Sequence, residues 1–301
     1  MYHFLIRLLL FSFITMIFGE SLPYMPFDDA MQIEMYEEAA HSGRTKEEVG
    51  IGAKDLLRCF KTLYEQNSFI NIRPAATLRI PKIIHQIWIG KEVPEKFRVF
   101  QESWKKYHPD WEYKLWTYND IEGFNFYNEE LIKQSRNPGE ISDIMRYEIL
   151  YRYGGLYVDL DFECLRSHYD LHTMYDFYIG IQPLDTEFVQ LGIGLIGSIP
   201  GHPILRHAIV TMRGNWNNEE CKKNPPKRTG PIFFTRSFFE CAGKYGTIDI
   251  AFPSAYFYPL GCKEFVFDYQ VWRAQGSFGI HHWASSWMKP QFRRPRFQEL
   301  N

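Results

Sequence analysis

Two aspartates, Asp159 and Asp161, close the run Leu156-Tyr157-Val158-Asp159-Leu160-Asp161, whose other residues suit a strand buried on both faces. A two-residue period places both carboxylates on one face of that strand. Side by side they repel, and neither accepts burial without compensation. A divalent cation resolves the conflict. Carboxylate oxygens suit Mg²⁺ or Mn²⁺, ions that also bind the phosphate oxygens of a substrate. An Asp-x-Asp pair alone also fits a plain surface strand or a helix cap, so its setting matters.

Directly before the pair stands the clearest helix of the chain, over Glu140 to Tyr153, with Pro138 and Gly139 ahead of it. Gly154-Gly155 stops it, and Gly154 is placed for a left-handed cap. Asp143 and Arg146 lie three positions apart on one face of this helix. They form either an intrahelical ion pair or a grip on sugar hydroxyls, for which a carboxylate acceptor and a rigid guanidinium fork are suited.

The rest of the chain alternates strand and helix. Lys82 to Gly90 reads as a buried strand, and Pro94 opens an amphipathic helix to about Tyr107. Trp111 to Thr117 alternates as a second strand, with Trp111, Tyr113, Leu115 and Thr117 on one side, and Asn119 and Asp120 can cap the next turn. Strands follow over 176–181 and 191–199, and a helix over Pro203 to Arg213. This is an α/β pattern, and 301 residues suit it as one large domain. A formal net charge of -2 gives no reason to expect nucleic acid as a partner.

Three segments lie outside the alternation. Leu8 to Phe18 is apolar but short of the roughly 20 residues that span a bilayer, so residues 1–20 read as a signal peptide or short signal-anchor. That implies a lumenal, periplasmic or secreted location, or a membrane anchor with the body outside the cytosol. Residues from about 28 to 66 form a helical extension, with Thr45 and Glu48 as a capping box before Val49, Ile51, Leu56, Leu57 and Phe60. Packing on the core suits it better than lining an acceptor site. The tail over 289–301 is basic. Five cysteines in an oxidising compartment allow one or two disulfides, and their spacing matches no zinc motif.

Ser142-Asp143-Ile144-Met145-Arg146 followed by Tyr153-Gly154-Gly155-Leu156-Tyr157-Val158-Asp159-Leu160-Asp161 resembles the signature of family 32 glycosyltransferases with the DXD motif. Ile80 to Gly90 resembles the family's first strand, Thr229-Gly230-Pro231 its Thr-Gly-Pro element, and His281-His282-Trp283-Ala284-Ser285-Ser286-Trp287 its closing His…Ser-Trp element. The resemblance runs from about Ile80 to Trp287 and divides the chain into a helical extension over 21–79 and a catalytic domain over 80–288.

That resemblance implies a GT-A type fold, with a Rossmann-like nucleotide-binding sheet and the metal site at its edge. It implies transfer of a hexose from a UDP- or GDP-sugar to a glycan, glycolipid or protein acceptor, with retention of configuration. Trp88 would stack on the donor base, and Asp143 and Arg146 would hold the donor sugar. Tyr157 and Asp159 would join the donor site, with Asp143, Arg146 and Asp159 acting at the reacting centre. Asp159, Asp161 and His282 would hold Mn²⁺ or Mg²⁺. Ser285 and Trp287 would lie beside the diphosphate, although many relatives carry glycine at the position of Ser285, which leaves Ser285 and Ser286 as alternatives. No certain nucleophile stands opposite the metal, which favours same-face displacement. Two other readings of the residues stay open: a metal-dependent phosphohydrolase, and a carbohydrate-binding module without turnover.

Overall fold

The computed structural model describes residues 22–264, 266–286 and 288. The expected leader over 1–20, Trp287 and the basic tail over 289–301 lie outside these residues. Eight strands are present among them: β1 Ile83–Trp88, β2 Glu112–Thr117, β3 Gly155–Val158, β4 Phe162–Cys164, β5 Phe177–Ile181, β6 Leu191–Ser198, β7 Asp249–Phe252 and β8 Gly279–His281. Six of them form one sheet in the order β2-β1-β3-β6-β5-β7, and β4 pairs with β8 alone. Within the sheet β1 is parallel to β2 and β3, and β5 is parallel to β7. β6 runs antiparallel to β3 and β5. Strands β3, β5 and β6 are buried along their whole length. Their sequences are accordingly apolar and small-residue runs rather than alternating ones.

The helices that bear on the site are α1 Gly43–Val49, α2 Ala53–Asn67, α3 Arg98–Tyr107, α4 Pro138–Tyr153, α5 Pro203–Trp216 and α6 Pro231–Cys241. The whole is the α/β sheet flanked by helices that a GT-A type fold requires, preceded by the expected helical N-terminal extension. Helix α4 starts earlier than expected because Asn137 caps it, its side chain accepting from Gly139 N–H, with Pro138 at the first helical position. Gly154 ends it at φ 64°, ψ -158°, a positive φ without the left-handed ψ. A side chain there would meet Pro200 and the Ser198 carbonyl within 2.9 Å, so β6 crowds the turn.

Other expectations change in detail. Ser42, not Thr45, caps α1, and Thr45 is buried with its hydroxyl accepting from Val189 N–H at 3.1 Å. In β2 the buried residue is Trp116, while Tyr113 and Leu115 are only half-buried. The reason is Trp116 Nε1, which donates to His85 Nδ1 at 3.1 Å while His85 Nε2 donates to the Gly154 carbonyl at 3.0 Å. Cys59, Cys164, Cys221 and Cys241 form no disulfide. Among the described residues no helix is long and apolar enough to cross a membrane.

Candidate active site

The strand carrying the aspartates stops sooner than its sequence suggests. β3 ends at Val158, and Asp159 to Asp161 form a turn closed by Phe162 N–H donating to the Asp159 carbonyl at 3.0 Å. The two carboxylates therefore do not share a strand face, and it is the turn that gathers them. The Asp159 N–H still donates to the Gly194 carbonyl on β6 at 2.8 Å, which ties the turn to the sheet.

The chain then enters β4, whose only partner is β8, with Phe162 opposite His281 and Cys164 opposite Gly279. This short ladder closes the sequence gap between the aspartates and the C-terminal histidines. His281 Nε2 comes to 3.3 Å from Asp161 Oδ1 and 3.9 Å from Asp159 Oδ2. Asp159, Asp161 and His281 can each present one ligand atom within 4.8 Å of the others, the single such group of three among the described residues.

The His282 ring points elsewhere. Its Nε2 lies 2.9 Å from Glu163 Oε2, which also accepts from the Tyr269 hydroxyl at 3.0 Å, and the ring stacks on Phe100 with centroids 4.2 Å apart. Its backbone N–H donates to the Asp161 carbonyl at 2.9 Å, and Ala284 N–H donates to Asp161 Oδ2 at 2.6 Å. Burial would raise the Asp161 carboxyl, but the charge and hydrogen bond of His281, with the Ala284 N–H, outweigh it and bring it down to about 2.

Helix α4 supplies the opposite wall. Arg146 is only 5% exposed, and its guanidinium faces four oxygens. Two are carbonyls, Ser142 at 3.2 Å and Ile193 at 2.8 Å. The others are carboxylate oxygens, Asp143 Oδ1 and Asp159 Oδ1, each at 3.2 Å. The guanidinium also lies 4.4 Å from the centre of the Tyr157 ring, and the Tyr157 hydroxyl donates to Asp159 Oδ1 at 2.7 Å. The Asp143–Arg146 pair is thus an ion pair, but a buried one that holds Asp159 as well.

The Thr229-Gly230-Pro231 element meets this network directly. The Thr229 hydroxyl donates to Asp143 Oδ2 at 2.8 Å, and the Tyr147 hydroxyl donates to the Thr229 carbonyl at 2.8 Å. Burial pushes Asp143 up to about 6 even though Arg146 and Thr229 pull the other way.

A cleft of about 770 Å³ joins these walls, lined by Asp143, Arg146, Tyr157, Asp159, Asp161 and His281 together with Trp88 and Ser285. That volume suits a nucleotide-sized ligand. Trp88, at the end of β1, packs edge-on against Phe97 with centroids 5.8 Å apart, and its Nε1 is buried without a partner. Ser285 adopts φ 49°, an unusual conformation for a residue with a side chain. Three contributors to the cleft carry no local sequence signal: Gln182, Gln190 and Arg44, the last from the N-terminal extension. His281 carried one, since it sits in the same short motif as His282.

A sequence family described as "glycosyltransferase sugar-binding region containing DXD motif" matches residues 94–178. Inositol phosphoceramide mannosyltransferase 3 of Schizosaccharomyces pombe is 34% identical over 161 residues, 52% of this chain and 44% of that protein. An α-1,6-mannosyltransferase of Saccharomyces cerevisiae, described as initiation-specific, is 35% identical over 94 residues, 27% of this chain and 20% of that protein. The chain thus spans less than half the length of these yeast relatives. An uncharacterized glycosyltransferase of Acanthamoeba polyphaga mimivirus is 30% identical over 188 residues, 60% of this chain and 73% of that protein. With most of that relative covered and the aspartate turn inside the matched region, the chain belongs to the family 32 glycosyltransferases that carry the DXD motif.

Proposed function

We propose that the protein transfers a hexose from a UDP- or GDP-sugar to a glycan, lipid or protein acceptor with retention of configuration, using Mn²⁺ or Mg²⁺. The observation that carries this reading is the convergence of Asp159, Asp161 and His281 on one point of a cleft whose other wall is the Asp143–Arg146 pair. Two carboxylates and one imidazole within 4.8 Å fit a divalent cation of the Mn²⁺ type. When bound, the ion would neutralise charge on the diphosphate leaving group.

The residues of the chain divide the remaining work. Arg146 offers five N–H groups and already faces four oxygens, so its role is to fix Asp143 and Asp159 rather than to bind sugar freely. Asp143 and Asp159 then present acceptors to sugar hydroxyls. Trp88 offers an aromatic face and an unpartnered N–H at the cleft wall, as suits a nucleobase. The carboxylates lining the cleft are Asp143, Asp159, Asp161 and Glu48, and each has a cationic or imidazole partner, with Glu48 held 2.9 Å from Lys227. With Asp143 and Asp159 assigned to the donor sugar and Asp161 to the metal, the step is read as same-face displacement.

A single candidate metal group among the described residues argues against two-metal phosphoester hydrolysis. The names of the yeast relatives point to lipid or glycan acceptors and to mannose as a first donor sugar to try. Incubation with a panel of UDP- and GDP-hexoses plus Mn²⁺, with mass detection of products, tests the proposal. Transfer or slow donor hydrolysis that a chelator abolishes is expected, and phosphate release from simple phosphoesters without donor cleavage would contradict it.

A further inference from the structure

Gln182 directly follows β5, and Gln190 directly precedes β6. The Gln182 N–H donates to the Gln190 carbonyl at 3.0 Å, which extends the β5–β6 ladder by one rung. The side chains meet as well, with Gln190 Nε2 donating to Gln182 Oε1 at 2.6 Å. The backbone beside Gln190 is pinned on both sides. Val189 N–H donates to the Thr45 hydroxyl at 3.1 Å, and Leu191 N–H donates to the Thr235 hydroxyl at 2.9 Å.

Both glutamines line the main cleft, and Gln190 is only 7% exposed. Its Oε1 is buried without a partner. An amide oxygen in that state costs stability, so a cleft that keeps one is matched to a ligand that supplies the donor. Turning both amides over preserves their mutual bond and leaves Gln190 Nε2 as the unpartnered atom. A hydroxyl answers either atom, because it both donates and accepts. An ionised phosphate oxygen only accepts and leaves Oε1 unpaired.

The strand fixes how far this group stands from the reacting centre. Gly192, on the same face as Gln190, is covered by Tyr258, whose ring centre lies 5.6 Å from that of His281. Gly194 stands against the Asp159 carboxylate. Gly194 to Gln190 is therefore at most roughly 13 Å of strand, and the bulge in the β5–β6 ladder shortens it. A single hexose projecting from a metal-bound diphosphate bridges that distance.

We propose that Gln190, positioned by Gln182, binds a hydroxyl of the donor hexose on the side of the ring away from the diphosphate. It thereby helps to set which hexose the cleft accepts, since a sugar lacking that hydroxyl leaves the buried amide unpaired. The assignment rests on the transferase reading above and adds a specificity-determining residue to it.

The test is calorimetric titration of the full chain in Mn²⁺ with the UDP- or GDP-hexose it binds best, its 3-, 4- and 6-deoxy analogues, and the nucleoside diphosphate alone. Gln190→Leu should weaken the intact donor at least tenfold and the diphosphate less than twofold. For one deoxy analogue, the leucine variant and the wild-type chain should bind within twofold of each other. Gln190→Glu should hold the intact donor within threefold of wild type, because the Gln182 amide can turn over and donate to one carboxylate oxygen while the other stays free. If the leucine variant lacks a cooperative melt, Gln190→Asn, which withdraws the amide by one methylene, takes its place. Equal weakening of donor and diphosphate, unchanged donor binding, or equal weakening for all three deoxy analogues overturns the assignment. A chain that shows the expected binding pattern but cleaves no donor contradicts only the transferase reading. One that cleaves donor while Gln190→Leu binds it as tightly as wild type contradicts only the role of Gln190.

Discussion

A methyl group added at Gly194 would lie 2.9 Å from Asp159 Oδ2, closer than a side chain tolerates. β6 therefore needs glycine there for the carboxylate to stand where Arg146 and Tyr157 hold it. Gly194→Ala is expected to lower donor cleavage at least tenfold while changing the melting temperature little, because the displaced atom is the end of a side chain. Gly214 near the end of α5 provides the control, with nothing within 4 Å of an added Cβ. Gly214→Ala should leave activity unchanged and stabilise by about 0.5–1 kcal/mol, read from chemical denaturation. Asp143, Arg146, Asp159 and Asp161 were legible in the sequence because they lie on one helix and the turn just after the next strand. The choice between His281 and His282 was not. It depends on the register of β4 against β8, and a shift of one residue exchanges which ring faces the carboxylates.

Short elements set much of the site, and their ends were the least legible part. The run through Asp161 reads as one strand, but the sheet releases it at Val158, where the chain turns toward β8 instead of continuing beside β6. No local propensity marks that change of partner. Buried histidines give a pH signature of the fold. His85 and His108 are both held down to about 4, mainly by burial, and His172 to about 3 for the same reason. Each folded value lies below the unfolded 6.5, so the unfolded chain binds protons first as pH falls. Stability is full above about pH 6.5 and is lost progressively toward pH 4, by up to roughly 3 kcal/mol for each of His85 and His108. Asp143 works in the opposite direction, since its raised value makes the native state gain a proton first between about pH 6 and 4. Four buried histidines, His168 among them, act together with Asp161 against the raised carboxyls of Asp143 and Glu148, which leaves acid destabilisation dominant. Urea midpoints at pH 7, 6 and 5 should fall in that order, and equal midpoints would show that these rings are not held neutral.

Across the whole molecule, the extension is part of the core and also reaches the cleft. Phe27, Met31, Leu56, Phe60 and Tyr64 are buried in the same cluster as the sheet residues Ile179, Ile250 and Phe252. The Tyr64 and Tyr256 hydroxyls lie 2.8 Å apart, joining α2 to the C-terminal part of the chain. A chain starting at residue 73 should accordingly be insoluble or lack a cooperative melt, and a soluble, cooperative product would make the extension a separate unit. Its packing role was legible from spaced apolar residues, whereas the contribution of Arg44 to the cleft was not, because it depends on where α1 docks.

Asp159, Asp161 and His281 are proposed to form the metal site of a nucleotide-sugar transferase. Its most direct test is Mn²⁺-dependent donor cleavage by the wild-type chain, Asp161→Asn and His281→Ala, measured beside their melting curves. At least a hundredfold loss is expected in Asp161→Asn and a clear loss in His281→Ala, with cooperative melting in both. Full Mn²⁺-dependent cleavage by Asp161→Asn would contradict it.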